Sequence, residues 1–384
     1  MSASAHPPLK VPFVVPYQLG SEQTAIEAAL RAVRLAGDNA QTKACHTILR
    51  QQLGAACALL TPSGTAALEL AALLADLKPG DEVIMPSFTF SSTANAVVLR
   101  GAVPVFVDIR PDTLNIDEKL IAAAITPATR AIVAVHYAGV PCEMDAINEL
   151  ARERGLVVIE DAAQALCSTY RGRQAGALGD MAAFSFHETK NIQCGEGGAF
   201  VTNNEKLAFR AEIIREKGTN RSAFFRGQVD KYTWVDIGSS FLANELTAAF
   251  LEPQLLAASD LTKQRLDIWQ SYHQAFAPLE AAGKLRRPHV PQHCAHNAHL
   301  YFLLLRDLKA RTEFIDDLRQ RGVQSTFHYV PLHSAPAGQR FGRAVGDLRV
   351  TDDLSDRLVR LPLWVGMKQE VETVTEAVFA ALEK

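Results

Sequence analysis

Three short segments carry the residue types that chemistry uses. In Phe184-Ser185-Phe186-His187-Glu188-Thr189-Lys190-Asn191 an apolar run enters a polar turn, and Lys190 stands ahead of the glycine-rich Gly195-Glu196-Gly197-Gly198. An amine is nucleophilic only when unprotonated, so a lysine used in Schiff-base chemistry needs surroundings that lower its pKa toward neutrality. In Val157-Val158-Ile159-Glu160-Asp161 an apolar run ends in two acids, followed by Ala162-Ala163-Gln164. An Asp at a strand end suits a metal, a ribose or a protonated ring nitrogen, and serves equally well as a helix N-cap. In Thr61-Pro62-Ser63-Gly64-Thr65-Ala66 a turn opens a helical pattern. Free N–H groups at a helix start and neighbouring hydroxyls can hold a phosphate, with Gly64 permitting close approach; the same residues also make an ordinary N-cap.

The order phosphate loop, strand-end Asp161, then Lys190 supplies the parts that pyridoxal 5'-phosphate needs. These are a phosphate cradle, a carboxylate that keeps the pyridine nitrogen protonated, and an amine for the aldehyde.

Those residues must be delivered by a scaffold. Apolar runs at 56–60, 82–85, 103–108, 131–136, 157–161, 181–186 and 199–202 read as buried strands, with helical patterns at 66–77, 116–124 and 143–154. Near-continuous apolar strands separated by helices predict an α/β fold with a mainly parallel sheet covered on both faces. Beyond a helix at 205–217 lies a polar, aromatic and basic stretch, 218–234, too long for a simple connector. One long amphipathic helix, 243–276, then crosses to a smaller α+β unit with a strand at 299–305, a helix at 312–321, a strand at 325–330 and a last helix at 369–383. The expected domains are 1–254 and 255–384.

Composition narrows the function classes. With 39 basic and 42 acidic residues the chain carries a formal charge of −3, which argues against nucleic acid and anionic membrane as partners. The uncharged stretch 83–99 contains Pro86 and many Ser and Thr, unlike a bilayer helix, and residues 1–16 hold no apolar run of export-signal length. Six scattered cysteines read as reduced thiols of a cytoplasmic protein. His289, His293, His296 and His299 with Cys294 fit no zinc spacing, so structural roles and no metal are expected. Arg221, Arg226 and Lys231 among Phe224, Phe225, Tyr232 and Trp234 suit a diphosphate-bearing substrate or a partner subunit. His328, Tyr329 and His333 either close over the substrate from the smaller unit or form a buried strand end.

The segments Gly80-Asp81-Glu82-Val83-Ile84-Met85-Pro86-Ser87-Phe88-Thr89-Phe90, His136-Tyr137-Ala138-Gly139, Glu160-Asp161-Ala162-Ala163-Gln164 and the lysine turn resemble the DegT/DnrJ/EryC1/StrS family of nucleotide-sugar aminotransferases. The resemblance runs over about residues 11–365. It implies the PLP-dependent transferase type I (aspartate aminotransferase-like) fold, with a mainly parallel central sheet and a smaller C-terminal α+β domain. It further implies Lys190 as the Schiff-base lysine, Asp161 as partner of the pyridine nitrogen and Gln164 beside the ring's phenolic oxygen. Gly64, Thr65 and Ser185 match phosphate positions, and Phe90 matches the aromatic stacked on the ring. A homodimer with shared active sites is implied. Where the family has Gly-x-Asn-x-Arg, this chain has Gly238-Ser239-Ser240-Phe241-Leu242, so Ser240 replaces the Asn that reaches the partner's cofactor. Phe88, His187, Arg221, Lys231 and Tyr329 are the expected substrate contacts.

Some relatives replace the lysine with histidine and dehydrate the sugar; this chain keeps the lysine. The segments Arg215-Glu216-Lys217-Gly218-Thr219-Asn220-Arg221 and Gly227-Gln228-Val229-Asp230-Lys231-Tyr232-Thr233-Trp234 add to the resemblance, and the stretch 219–234 points to one subgroup, that of enterobacterial common antigen synthesis. Its members take dTDP-4-dehydro-6-deoxy-D-glucose and L-glutamate to dTDP-4-amino-4,6-dideoxy-D-galactose and 2-oxoglutarate. The alternatives are another 3- or 4-keto nucleotide sugar, or a non-catalytic regulator on the same fold.

Overall fold

The computed structural model describes residues 8–383; residues 1–7, part of the stretch read as lacking an export signal, lie outside the described residues. The apolar runs form β1 (Cys57–Thr61), β2 (Glu82–Pro86), β3 (Val103–Val107), β4 (Thr129–Val135), β5 (Val157–Asp161), β6 (Met181–Ser185) and β7 (Gly198–Thr202). Each lies within two residues of its expected bounds. Further along are β8 (Tyr301–Leu304), β9 (Arg343–Ala344) and β10 (Leu358–Leu361).

Eight strands make one sheet in the order β1-β7-β6-β5-β4-β2-β3-β9. The strands from β6 to β9 in that order run parallel, whereas β7 is antiparallel to both neighbours. Both faces are covered, which explains runs with almost no polar interruption. On one face the helix Gly64–Leu74 packs Ala67, Leu70, Ala71 and Leu74 with Met85, Ala183 and Phe200. Its small residues allow close approach to β6, where an added Cβ on Gly64 would stand 2.8 Å from Ser185 Cβ. On the other face Cys45, Leu49 and Leu53 of the helix Ala40–Leu53 meet Leu251 and Leu255 of the helix Glu245–Leu256.

The single helix expected over 243–276 is two, Glu245–Leu256 and Ala258–Ala275, divided at Ala257. The halves serve different cores. Leu251 and Leu255 face the central sheet, whereas Ile268, Trp269 and Tyr272 enter a core with β8, β10 and the helices Leu308–Gln320 and Gln369–Leu382. A straight helix cannot aim one apolar stripe at both, and Pro253 already removes a ladder hydrogen bond upstream of the break. The strand expected at 325–330 reduces to one bridge between Thr326 and Arg360. The helix expected from residue 312 begins at Leu308, because Asp307 caps it by accepting from Ala310 N.

β8 and β10 pair antiparallel as a separate ribbon, while β9 adds to the outer edge of β3. Among the described residues no helix is long and apolar enough to cross a membrane.

Candidate active site

A cavity of about 610 Å³ opens at the carboxyl ends of β5 and β6, where open α/β sheets place their ligands. Gly64 and Thr65 line it at the head of their helix, where first-turn N–H groups lack intrahelical acceptors. Ser63 Oγ takes the N–H of Ala66 at 3.1 Å, and Thr65 Oγ1 lies 2.7 Å from Ser92 Oγ. With Ser185 also on the wall, this corner gathers neutral donors around a helix N-terminus, a setting that favours an anion.

Strand alternation separates the two acids that end β5. Glu160 is fully buried away from the cavity and accepts the N–H groups of Gly176, Leu178 and Gly179, each at 2.7 Å. It also meets His136 Nε2 at 2.9 Å. Asp161 faces the cavity, with Oδ2 accepting from Thr93 Oγ1 at 2.7 Å and Oδ1 from Ala163 N at 3.2 Å.

Lys190 lines the same cavity from the turn after β6, its N–H donating to His187 O at 2.8 Å. Burial pushes its pKa down to about 8; the charge of Arg360 acts in the same direction and that of Asp161 against it. Gln164 is held at both ends, accepting from Ala138 N at 2.8 Å and donating to Tyr329 OH at 3.0 Å. Tyr329 lies against His328 with ring centroids 3.5 Å apart at a tilt of 32°, and His328 Nδ1 lies 3.2 Å from Tyr137 OH.

The donor set fits a flat, phosphorylated pyridine aldehyde. The anion corner, a carboxylate fixed by two donors and an amine depressed toward neutrality all open on one space of sufficient volume. Lys190, Asp161, Gly64, Thr65, Phe90, Gln164, Ser185, His187 and Tyr329 all line it. Five other expected residues do not. Phe88 is fully buried behind the cavity, edge-on to Tyr137 and Tyr329 at 5.0 and 5.4 Å, so substrate contact there gives way to a packing role. Arg221 pairs with Glu216 and lies over the Phe225 ring at 5.0 Å, outside the cavity. Lys231 and Ser240 are exposed and lie outside this chain's cavity. His333 bonds Ser87 Oγ at 2.8 Å instead of facing the cavity.

Three of the four histidines near Cys294 take separate partners. His293 meets Glu143 at 2.9 Å, His296 packs edge-on to Trp269, and His299 Nδ1 lies 3.1 Å from Asn191 Oδ1. His289 has no residue-specific bond among the described residues.

Sequence reasoning missed Ser92, Thr93 and Arg360. The signal for the first two was their place just past the carboxyl end of β2. For Arg360 it was one charge inside the apolar run Leu358-Val359-Arg360-Leu361.

The sequence profile of the DegT/DnrJ/EryC1/StrS aminotransferase family matches residues 18–379. The spore coat polysaccharide biosynthesis protein SpsC of Bacillus subtilis is 38% identical over 335 residues, 85% of each chain. The dTDP-4-dehydro-2,3,6-trideoxy-D-glucose 4-aminotransferase of Saccharopolyspora spinosa is 35% identical over 327 residues, 84% of this chain and 83% of that one. Among solved structures, S. venezuelae DesV superposes with a TM-score of 0.90 at 31% identity, covering 98% of this chain and 100% of its own. The fold is that of these PLP-dependent enzymes, and pyridoxal phosphate is the cofactor. By length of match, identity and fold, the chain belongs to the DegT/DnrJ/EryC1/StrS aminotransferase family.

Proposed function

We propose that this protein is a nucleotide-sugar 4-aminotransferase that moves the amine of L-glutamate to C4 of dTDP-4-dehydro-6-deoxy-D-glucose, giving dTDP-4-amino-4,6-dideoxy-D-galactose. The observation that carries the reading is a half-buried Lys190 sharing one cavity with Asp161 and an anion corner. The S. spinosa relative, a 4-aminotransferase of a dTDP-keto-sugar, supports C4 and the dTDP group. A regulator on this fold would have no use for the lysine, which a buried site holds at a cost.

When bound, pyridoxal phosphate supplies an aldehyde that carries the amine and a protonated ring that accepts electrons from the substrate carbon. Gly64, Thr65 and Ser185 would hold its phosphate, Phe90 would cover one ring face, and Gln164 would meet the phenolic oxygen. Asp161, fixed by Thr93 and Ala163, keeps its carboxylate where a ring proton must be retained. Lys190 Nζ, with a pKa near 8, can both take and return the proton at the amine-bearing carbon of donor and product. Tyr329 and His328 line the same cavity and would shield the reacting carbon from water on the C-terminal side.

The same reading includes a homodimer. Phe225, Tyr232, Trp234, Val235 and Ile237 are 47–77% exposed along one stretch, beside Arg221, Lys231 and Ser240. A second copy would cover these apolar groups and bring Ser240 to the neighbouring site. It includes as well a division into units 1–254 and 255–384, and a cytoplasmic setting where nucleotide sugars are made.

The test is incubation of purified protein with pyridoxal phosphate, L-glutamate and a panel of 3-keto and 4-keto nucleotide sugars, with products identified by mass and NMR. Amination of the dTDP-4-keto sugar to the galacto amine is expected. Amination only of a 3-keto or non-dTDP sugar overturns the substrate, and no amination of any overturns the activity.

A further inference from the structure

We infer that His299 is a positioning residue which, through Asn191, holds the turn that aims Lys190 into the cavity. The inference deepens the aminotransferase reading and rests on it for what the aimed amine does, though not for the aiming.

His299 stands two residues ahead of β8 and lines the same cavity as Lys190. Its Nδ1 lies 3.1 Å from Oδ1 of Asn191, the residue after the lysine. The partner atom fixes the tautomer. Asn191 Nδ2 donates to the carbonyl of Asn297 at 2.8 Å, so the amide oxygen is what faces the imidazole, and Nδ1 must carry the hydrogen. Burial and the charges of Lys190, Arg265, Arg360 and His328 hold the pKa of His299 well below the ordinary histidine value, so the ring is neutral. Asn191 is thus clamped at both ends of its amide, while the N–H of Lys190 is held by His187 O at 2.8 Å. The lysine backbone is fixed on both sides, and only the long side chain is left to move. Fixing its base removes most of the freedom that would otherwise scatter the amine.

The segment that presents His299 is held more firmly than wall-lining requires. Ala298 has a φ of 51°, in the left-handed region that an alanine adopts only under strain. Arg265, from the helix Ala258–Ala275, donates to Ala298 O at 3.1 Å and to His299 O at 2.8 Å. Asn297 Oδ1 accepts from His299 N at 3.0 Å, and its Nδ2 donates to Gln164 O and Leu166 O, each at 2.8 Å. Gly139 leaves the room for this, since an added Cβ there would stand 1.9 Å from Asn297 Oδ1. An apolar side chain at 299 would cover the wall without any of these bonds. What they achieve is to tie the lysine turn, the loop carrying Gln164 and the entry to β8 into one network. The competing role is direct contact with a ligand through Nε2, which bonds no protein atom among the described residues.

The experiment follows capture of pyridoxal phosphate by cofactor-free protein, using stopped-flow absorbance in alkaline buffer where the amine is neutral. The proteins are wild type, His299→Ala, His299→Asn, His299→Gln, Asn191→Ala and the double variant His299→Ala/Asn191→Ala. Asparagine places an amide N–H near the position of Nδ1, and glutamine places one near Nε2. His299→Ala should capture about tenfold more slowly, His299→Asn should recover most of the rate, and His299→Gln should not. Asn191→Ala should be as slow, and the double variant no slower than either single one, because both act through one contact. In the loaded enzyme kcat should follow the same order, with the KM for L-glutamate and for the keto-sugar within about twofold of wild type. Wild-type capture by His299→Ala, additive losses in the double variant, or a raised KM rescued by glutamine and not by asparagine overturns the inference. Should His299→Ala misfold, the Asn and Gln variants decide, and equal capture by both overturns it. If capture follows the expected order but no sugar is aminated, the activity reading falls and this one stands. If sugars are aminated while capture ignores residue 299, the reverse holds.

Discussion

Thr93 and Asp161 are 68 residues apart in the chain, yet Thr93 Oγ1 donates to Asp161 Oδ2 across 2.7 Å of buried space. Thr93 sits on the helix Ser91–Val98, which starts where β2 ends, and its hydroxyl also meets Thr89 Oγ1 at 2.8 Å. The carboxylate's orientation is therefore set by a neighbouring strand end. Thr93→Val should keep the shape, lose the donor and lower kcat about tenfold, since a buried hydrogen bond to a charged group is worth about 1.5–3 kcal/mol. Steady-state kinetics check this, and Thr93→Ser should recover most of the rate.

Replacing Lys190 by Ala removes the amine altogether. The purified variant should lack the yellow absorbance of lysine-bound cofactor and show no turnover, with far-UV circular dichroism unchanged. A retained transaminase rate would end the assignment.

Asp161→Asn keeps the contact with Thr93 possible but removes the charge that holds a proton on the ring. Loss of one preorganised electrostatic partner argues for a fall of about 100-fold or more in kcat. Near-normal turnover would remove Asp161 from its role.

The pH dependence of cofactor capture follows from the amine. Burial lowers the pKa of Lys190 to about 8, and only the neutral amine attacks the aldehyde. Below that pH the loading rate of cofactor-free protein should climb about tenfold per pH unit, then level off above it. The Asp161 carboxylate favours the ammonium form and the Arg360 guanidinium opposes it. Hence Asp161→Asn should move the midpoint down and Arg360→Gln should move it up. Stopped-flow absorbance across pH 6–10 reads both directions.

Trp234, 77% exposed, and Ile237, 47% exposed, offer apolar area that a second copy would cover. Wild-type protein should sediment as a dimer at micromolar concentration. Trp234→Asp should sediment as a monomer and release its cofactor more readily, which gel filtration followed by absorbance will register.

Much of the fold could be read from the chain because burial on both sheet faces leaves a mark that needs no distant knowledge. Val103–Val107 and Met181–Ser185 are apolar throughout their middles, and Gly155 ends its helix with a positive φ of 64°. The break at Ala257 was hidden because Leu255-Leu256-Ala257-Ala258 carries no glycine or polar stop signal; only the presence of two separate cores reveals that the apolar side must change direction. Lys190, Asp161 and Gly64 were legible because their chemistry is local to a turn or a strand end. Phe88 was misplaced because alternation beyond a strand end is not fixed by pattern, and the bend at Ser87–Thr89 turns it inward. Thr93 and Arg360 acquire meaning only through partners far along the chain, which spacing does not encode.

The short pairing of β9 with β3 has a mechanical consequence. Arg343 grips Glu82 through two hydrogen bonds at 2.6 and 2.7 Å, and Leu332 N and His333 N both bond Ser87, each at 3.0 Å. The part of the chain that carries Tyr329 and Arg360 is thereby riveted to the rim of the main sheet on two sides. A rigid swing of that part would have to tear out strand pairing, a forked ion pair and the Ser87 clasp together. The rings at the mouth carry no such ties: Phe90 stands 60% exposed there, free to shift sideways without breaking any of them.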